Sequence, residues 1–144
     1  MLLDFELFDS ILPAAESSAR GRMNYDLRTQ AFEAGKPDHS GHKWSDTSQR
    51  MLNVLTPGTV IPIHRHNETS ETVIVLRGAV EEVFFDASGA VLERHVLRYG
   101  GPCPGIQVPR GVYHTCRCLE PGSVIFEAKD QAYDPLGTED VLEP

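Results

Sequence analysis

The residues with the greatest chemical capacity lie in one short run, Gly58-Thr-Val-Ile-Pro-Ile-His64-Arg-His66-Asn-Glu-Thr-Ser-Glu71, with Gly78 following after six more residues. Strand side chains alternate, so two His spaced i and i+2 share a face. That face is the concave interior if Val60 and Pro62, which share it, also point inward. Glu71 opens the next strand, and a connection of four residues returns its carboxylate beside the two imidazoles. Far downstream, Pro109-Arg-Gly111-Val-Tyr-His114 delivers a third imidazole just past a tight turn, at the entry to a strand. A lone His on a strand is more often a polar core residue than a ligand. Imidazoles and a carboxylate converging from short spacings are different, and the chemistry open to them is metal ligation.

The elements that must position these groups are short strands. Runs rich in Val, Ile, Phe and Tyr cover 51–55, 60–66, 71–77, 80–85, 91–97, 105–108, 113–119 and 122–128. Turn signals separate them. Thr56-Pro-Gly-Thr59 predicts a type II turn, Asp86-Ala-Ser-Gly89 another turn, and Glu120-Pro-Gly-Ser123 repeats the Pro-Gly signature. No amphipathic helix intervenes, so the pattern predicts an all-β sandwich or barrel. Upstream, Pro13–Arg20 reads as two helical turns with Pro13 near their start, and Met23–Leu27 as a short strand. Residues 28–48 read as a polar loop, long enough to be functional or interface-forming. The chain of 144 residues is therefore expected to form one structural domain. Its parts are an N-terminal arm with a strand and loop (1–48), a barrel (49–129) and a surface tail (130–144).

The spacing of residues 58–78 resembles the first motif of the cupin superfamily: Gly, five residues, His-x-His, three or four residues, Glu, six residues, Gly. Pro109, Gly111 and His114 resemble its second motif, although Cys103 stands where that motif has its leading Gly and Cys118 where it has Asn. The resemblance implies an all-β cupin double-stranded β-helix, a jelly-roll barrel, with a short N-terminal helical arm. It also implies that His64, His66, Glu71 and His114 bind one divalent metal. Such a set, borderline-hard, suits Fe(II), Mn(II), Ni(II) or Zn(II). A narrower resemblance covers most of the chain. Arg22-Met-Asn24, Gln49-Arg-Met-Leu-Asn53, Arg94, Phe126-Glu-Ala-Lys129 and Tyr133-Asp-Pro135 are similar to the WbuC family of cupin-fold metalloproteins, which is associated with bacterial surface-polysaccharide gene clusters.

Bulk properties exclude several function classes. A formal charge of −8 argues against nucleic-acid partners. No run of 18 apolar residues suggests a membrane span, and the acidic N-terminus lacks the basic region of a secretory leader. Three Cys fit a reducing cytoplasm better than a disulfide framework. Cys116 and Cys118 are in phase with His114 and read as small core side chains, with Cys116 the alternative nucleophile or extra ligand. His39 and His42 read as solvated, and His95 as structural without an acidic partner in register. Val73, Val75, Phe84, Val108 and Phe126 are the expected core.

Two classes of function follow. One is an enzyme on a small oxygen-rich metabolite, a sugar derivative of surface-polysaccharide metabolism, isomerised or epimerised by proton abstraction next to a carbonyl. It needs a general base near the metal, for which Glu127 and Tyr113 are the catalytic candidates. The other is a non-catalytic binding or sensing cupin, and a metal-dependent dioxygenase is a further alternative. Arg50 and Arg110 could supply charge to an anionic sugar or phosphate. Outward-facing Ile61, Ile63, Ile74 and Leu76 predict a homodimer, since contiguous apolar patches mark interaction surfaces, with residues 1–27 the alternative cover for part of that face.

Overall fold

The computed structural model describes residues 2–26, 31–33, 48–131 and 136–142. His39, His42 and Tyr133-Asp-Pro135 lie outside them.

The chain opens with a helix, α1 (Phe5–Ser17), capped by Asp4, whose carboxylate accepts the Leu7 N–H at 3.0 Å. Phe8, Ile11 and Ala15 recur at helical spacing and are the buried face. This start lies eight residues before the one expected. The Asp4 cap and the apolar stripe nucleate the helix, and Pro13 is carried inside it on the exposed side. Strands follow in the order β1 (Arg22–Asp26), β2 (Ala31–Glu33), β3 (Ser48–Leu55), β4 (Ile63–His64), β5 (Glu71–Arg77), β6 (Ala79–Phe85), β7 (Val91–Arg98), β8 (Gly105–Val108), β9 (Tyr113–Cys118), β10 (Ser123–Asp130) and β11 (Val141–Leu142). Part of the expected 28–48 loop is thus the strand β2, paired with β1.

Two antiparallel sheets result, one ordered β2-β1-β3-β10-β5-β8 and the other β11-β4-β9-β6-β7. The all-β jelly-roll architecture with one short helix is as expected, but the two sheets stay separate and do not close into a continuous barrel. Between them lies the main core, with Leu55, Val73, Val75, Val108 and Ile125 from the first sheet against Val80, Phe84, Leu97 and Cys116 from the second. Fully burying an aliphatic side chain of this kind stabilises by roughly 1.5–3 kcal/mol. Helix α1 covers the other face of the first sheet, burying Phe8, Ile11 and Ala15 against Leu52, Val54 and Val124. Phe126 belongs to this outer cluster, not to the main core, because it alternates with Ile125 on β10.

Gly78 is the single residue between β5 and β6, with φ +74, and a Cβ there would collide with the Ser123 side chain. The two Pro-Gly turns differ. Gly122 has φ +72, as the second central residue of a type II turn requires. Gly58 has no positive φ, so the Thr56–Thr59 turn, closed by Thr59 N–H to Thr56 C=O at 2.9 Å, is not type II.

The apolar patch expected to drive dimerisation is not assembled. Ile61 packs against the main core, Ile63 against Val83, Phe85 and Tyr113, and Leu76 under α1, leaving Ile74 exposed. The reason is that β4 is regular over only Ile63–His64, so strict alternation from 60 to 66 fails, and Val60 is 72% exposed instead of inward.

Candidate metal centre

His64 on β4 and His114 on β9 are direct cross-strand partners. His66 follows in the turn after β4, held by the Gly111 N–H, which donates to the His66 carbonyl at 2.8 Å. The Pro-Gly turn before His114 therefore fixes His66 as well, and couples the two sequence motifs. Each of the three imidazoles offers a ring nitrogen, and these lie within 4.8 Å of one another.

Their tautomers follow from their contacts. His64 Nδ1 lies 2.9 Å from the Pro62 carbonyl and His114 Nδ1 lies 3.0 Å from the Val112 carbonyl. A carbonyl only accepts, so both Nδ1 atoms donate and both Nε2 lone pairs are free to ligate. The Nε2 of His114 is buried with no hydrogen-bond partner. Burial and the neighbouring His114 lower the His64 pKa to about 3, and burial lowers that of His114. Both rings are thus neutral and nucleophilic at physiological pH, as a metal demands.

Glu71 joins from the start of β5, with Oε2 3.2 Å from His66 Nε2. Burial alone would push its pKa up, but the Lys129 ammonium at 3.0 Å and the adjacent imidazoles hold it well below the usual carboxylate range. The structure therefore clusters His64, His66 and His114 and sets Glu71 against His66, and an orphaned imidazole nitrogen in a site with an ionised carboxylate fits a divalent ion.

Glu127 faces the interior with Ile125 and Lys129, because Val124 and Phe126 occupy the opposite side of β10. Burial, then the Glu71 charge, raise its pKa to about 7, while Lys129, Arg22 and a hydrogen bond with Asn53 act the other way. Tyr113 is elsewhere. It alternates with His114 onto the outer face, its hydroxyl donates to the Glu139 carbonyl at 3.2 Å, and the Arg65 guanidinium lies 4.8 Å over its ring. Arg50 shares the outer side of β3 with Leu52 and Val54, and Arg110 is exposed in its turn. His95 is also not as expected. Glu82 is its cross-strand partner, and its Nε2 lies 2.7 Å from Glu93 Oε2.

Three contributors escaped the sequence reading. Lys129 bridges Glu71 and His66, with Nζ 3.2 Å from His66 Nε2. Glu82, in phase with Val80 and Phe84, is buried against Cys116, and burial followed by the Glu71 charge pushes its pKa well up. The cue was an acidic residue on the apolar phase of a strand. Cys116 is buried, and burial and Glu82 push its thiol well up, which makes it a poor nucleophile. The third is the tail. Its described part lies at the surface, and there β11 pairs with β4, placing Val141 opposite His64. Asp140 accepts from Arg65 Nε at 3.1 Å and from the Asn67 amide, clamping the segment between the two His from outside.

Beside His66 and Lys129 lies a cavity of about 80 Å³, whose other charged lining residues are Arg65, Glu68, Asp130 and Asp140. At about 30 Å³ for each water that is room for two or three waters, and of the four candidate ligands His66 lines it.

Solved structures share this architecture. The capsular polysaccharide assembling protein CapF from Staphylococcus aureus matches with TM-score 0.54 and 19% identity over 62% of this chain and 24% of its own. CapF with the inhibitor 3-isopropenyl-tropolone gives TM-score 0.54 and 20% identity, over 62% of this chain and 26% of its own. Oxalate oxidase in complex with the substrate analogue glycolate matches with TM-score 0.57 and 18% identity, over 80% of this chain and 53% of its own. The chain thus spans about a quarter of CapF and half of the oxidase, and at these identities the likeness establishes the cupin fold. No curated protein matches the sequence. Among the described residues no helix is long and apolar enough to cross a membrane. Residues 3–97 match one family model, and the chain belongs to that family, described as a domain of unknown function (DUF6016).

Proposed function

We propose that this is a metal-binding cupin whose centre, His64, His66, Glu71 and His114, holds one divalent transition metal (Fe, Mn, Ni or Zn) and acts on, or binds, a small oxygen-rich metabolite. The observation that carries the reading is the convergence of three ring nitrogens within 4.8 Å, with an ionised carboxylate against one of them. A bound divalent ion would supply Lewis acidity toward a carbonyl oxygen.

The remaining chemistry belongs to the chain. Glu127, with a pKa near 7, holds or releases a proton in the physiological range, which suits the general acid–base partner of an isomerase or epimerase. Tyr113 was the other candidate, and its hydroxyl is already engaged with Glu139 on the outer face, which favours Glu127. The WbuC resemblance and the fold shared with CapF support a sugar derivative of bacterial surface-polysaccharide metabolism as ligand. A binding or sensing role without turnover uses the same centre and leaves Glu127 idle. The three unbridged cysteines support a cytoplasmic setting. We read residues 1–144 as one structural unit; the homodimer expected from the sequence loses its basis with the dispersal of that patch.

Elemental analysis of untagged protein purified without chelator should give close to one transition metal per chain. A His64→Ala/His66→Ala double variant should lose it. Full retention in that variant overturns the assignment. Turnover separates the enzyme from the binding module: Glu127→Gln should abolish catalysis and leave ligand affinity intact.

A further inference from the structure

We infer that the outer edge of β7 pairs with the same edge of a second copy of this chain. The two strands run antiparallel about a two-fold axis at Arg94 and join the two β11-β4-β9-β6-β7 sheets into one. This surface is not the patch of Ile61, Ile63, Ile74 and Leu76, and it uses none of the candidate metal ligands.

Four strands end the two sheets, and three of them are blunted by their shortness. β2 has three residues, β8 four and β11 two. β7 has eight, and among the described residues its ladder is to β6 alone. Short edges discourage pairing with another chain, as do Lys and Pro on an edge strand, and β7 carries neither. Its one interruption is a slip of the ladder with β6 at Leu92, near the start. Leu92 is 62% exposed and Val96 53%. A long edge with exposed aliphatic side chains is a template for another strand.

The backbone decides which residues that strand meets. The Arg98 N–H donates to the Cys103 carbonyl at 2.9 Å, while the N–H of Tyr99 donates to the Gly78 carbonyl just before β6. Successive backbone groups of a strand point to opposite sides. Arg98 therefore faces away from β6, and so do Val96, Arg94 and Leu92. Because the Arg98 N–H is taken by its own loop, a second strand must pair with the other three.

An axis at Arg94 sets Leu92 opposite Val96 of the second copy, and Glu93 opposite His95 of the second copy. The exposed aliphatic side chains then meet each other, and an acid meets an imidazole. An axis at Glu93 would set two acids face to face. An axis at His95 would set Glu93 against Leu97 and Arg94 against Val96. Only the Arg94 axis matches both apolar and charged partners, and such cross-strand pairs are what stabilise a sheet. The two Arg94 side chains face each other there, but each is held by its own Glu81 at 3.1 Å, which offsets their repulsion.

The test is analytical ultracentrifugation of the full chain at tens of micromolar. Wild type should sediment as a dimer, at twice the 16.0 kDa of the chain. Val96→Lys puts a charge against Leu92 at both symmetric positions. It should raise the dimer dissociation constant about tenfold or more, with far-UV circular dichroism and metal content unchanged. The register is tested by two further variants. Glu93→Lys opposes a lysine to His95 and His95→Glu opposes two acids, so each should self-associate more weakly than wild type. Mixed in equal amounts they should form a one-to-one dimer about tenfold tighter than either variant alone, because every acid again faces a base on the other chain. The Glu93–His95 contact within one chain, at 2.7 Å, cannot produce that recovery, since mixing restores it in neither variant. The mixing experiment also decides the matter should Val96→Lys fail to fold. A wild-type monomer at this concentration would leave the edge to a strand of some other protein and overturns the inference. So does a dimer indifferent to Val96→Lys, or no gain on mixing.

Discussion

Replacing Glu127 by Gln in the metal-free protein isolates the proton that this site carries. In the folded chain the carboxyl titrates near 7, against an ordinary value of 4.5. Between those values the folded state keeps the proton and the unfolded state has lost it. Stability from this group is therefore fully present below about pH 4.5 and is lost as pH rises through about 7. The gap between the two values, at about 1.4 kcal/mol for each pH unit, sets a ceiling near 3.5 kcal/mol. Between pH 5 and pH 8 the expected loss is about 2.5 kcal/mol. Gln cannot titrate, is nearly isosteric and can still hydrogen-bond with Asn53. Urea unfolding of chelator-treated wild type and Glu127→Gln at pH 5, 6, 7 and 8 measures the effect. The stability difference, wild type minus variant, should fall by about 2.5 kcal/mol across the series, at unchanged m-value. A pH-independent difference would show that Glu127 titrates as an ordinary carboxylate and would remove the basis for giving it a proton-transfer role.

Three other outcomes are expected. His64 titrates with the opposite sign: its folded pKa of about 3 lies below the ordinary 6.5, so its stability contribution is present above 6.5 and lost as pH falls toward 3. His64→Gln should accordingly show a lower acid-unfolding midpoint by circular dichroism when metal is absent. Asp140→Ala should release Arg65 and Asn67 and loosen β4, weakening metal binding by about tenfold in a chelator competition assay while the far-UV spectrum stays the same. Phe8→Ala, at the buried contact of α1 with the first sheet, should cost about 3–5 kcal/mol in urea unfolding without changing metal stoichiometry.

Much of this protein is written locally. Strand positions were legible because Val-, Ile- and Phe-rich runs bounded by Pro, Gly and Asp turns need no long-range information, and β5 and β8 begin and end where those runs do. The meeting of His64, His66 and His114, with Glu71 against His66, was legible for a related reason: short spacings and one tight turn keep these residues close, although β4 is regular only over Ile63–His64 and alternation alone does not aim His66. The helix start is carried by local signals too, Asp4 and the Phe8/Ile11/Ala15 spacing, while Pro13 is a competing local signal because proline favours the first turn of a helix.

What the sequence by itself did not reveal depends on which strands meet. Lys129 gains its meaning only because β10 lies beside β5 and sets it opposite Glu71, residues separated by more than half the barrel sequence. Glu82 becomes a raised-pKa acid only because packing against β9 buries it beside Cys116. The grip of Asp140 on Arg65 requires the tail to return and pair with β4, a contact spanning 75 residues that no local pattern encodes. The dispersal of the expected apolar patch shows where local pattern stops: Ile61 enters the core, Leu76 lies under α1 and Ile74 is exposed. Local alternation says which way a side chain points relative to its neighbours, and only tertiary packing says whether that direction is core, helix-covered or solvent.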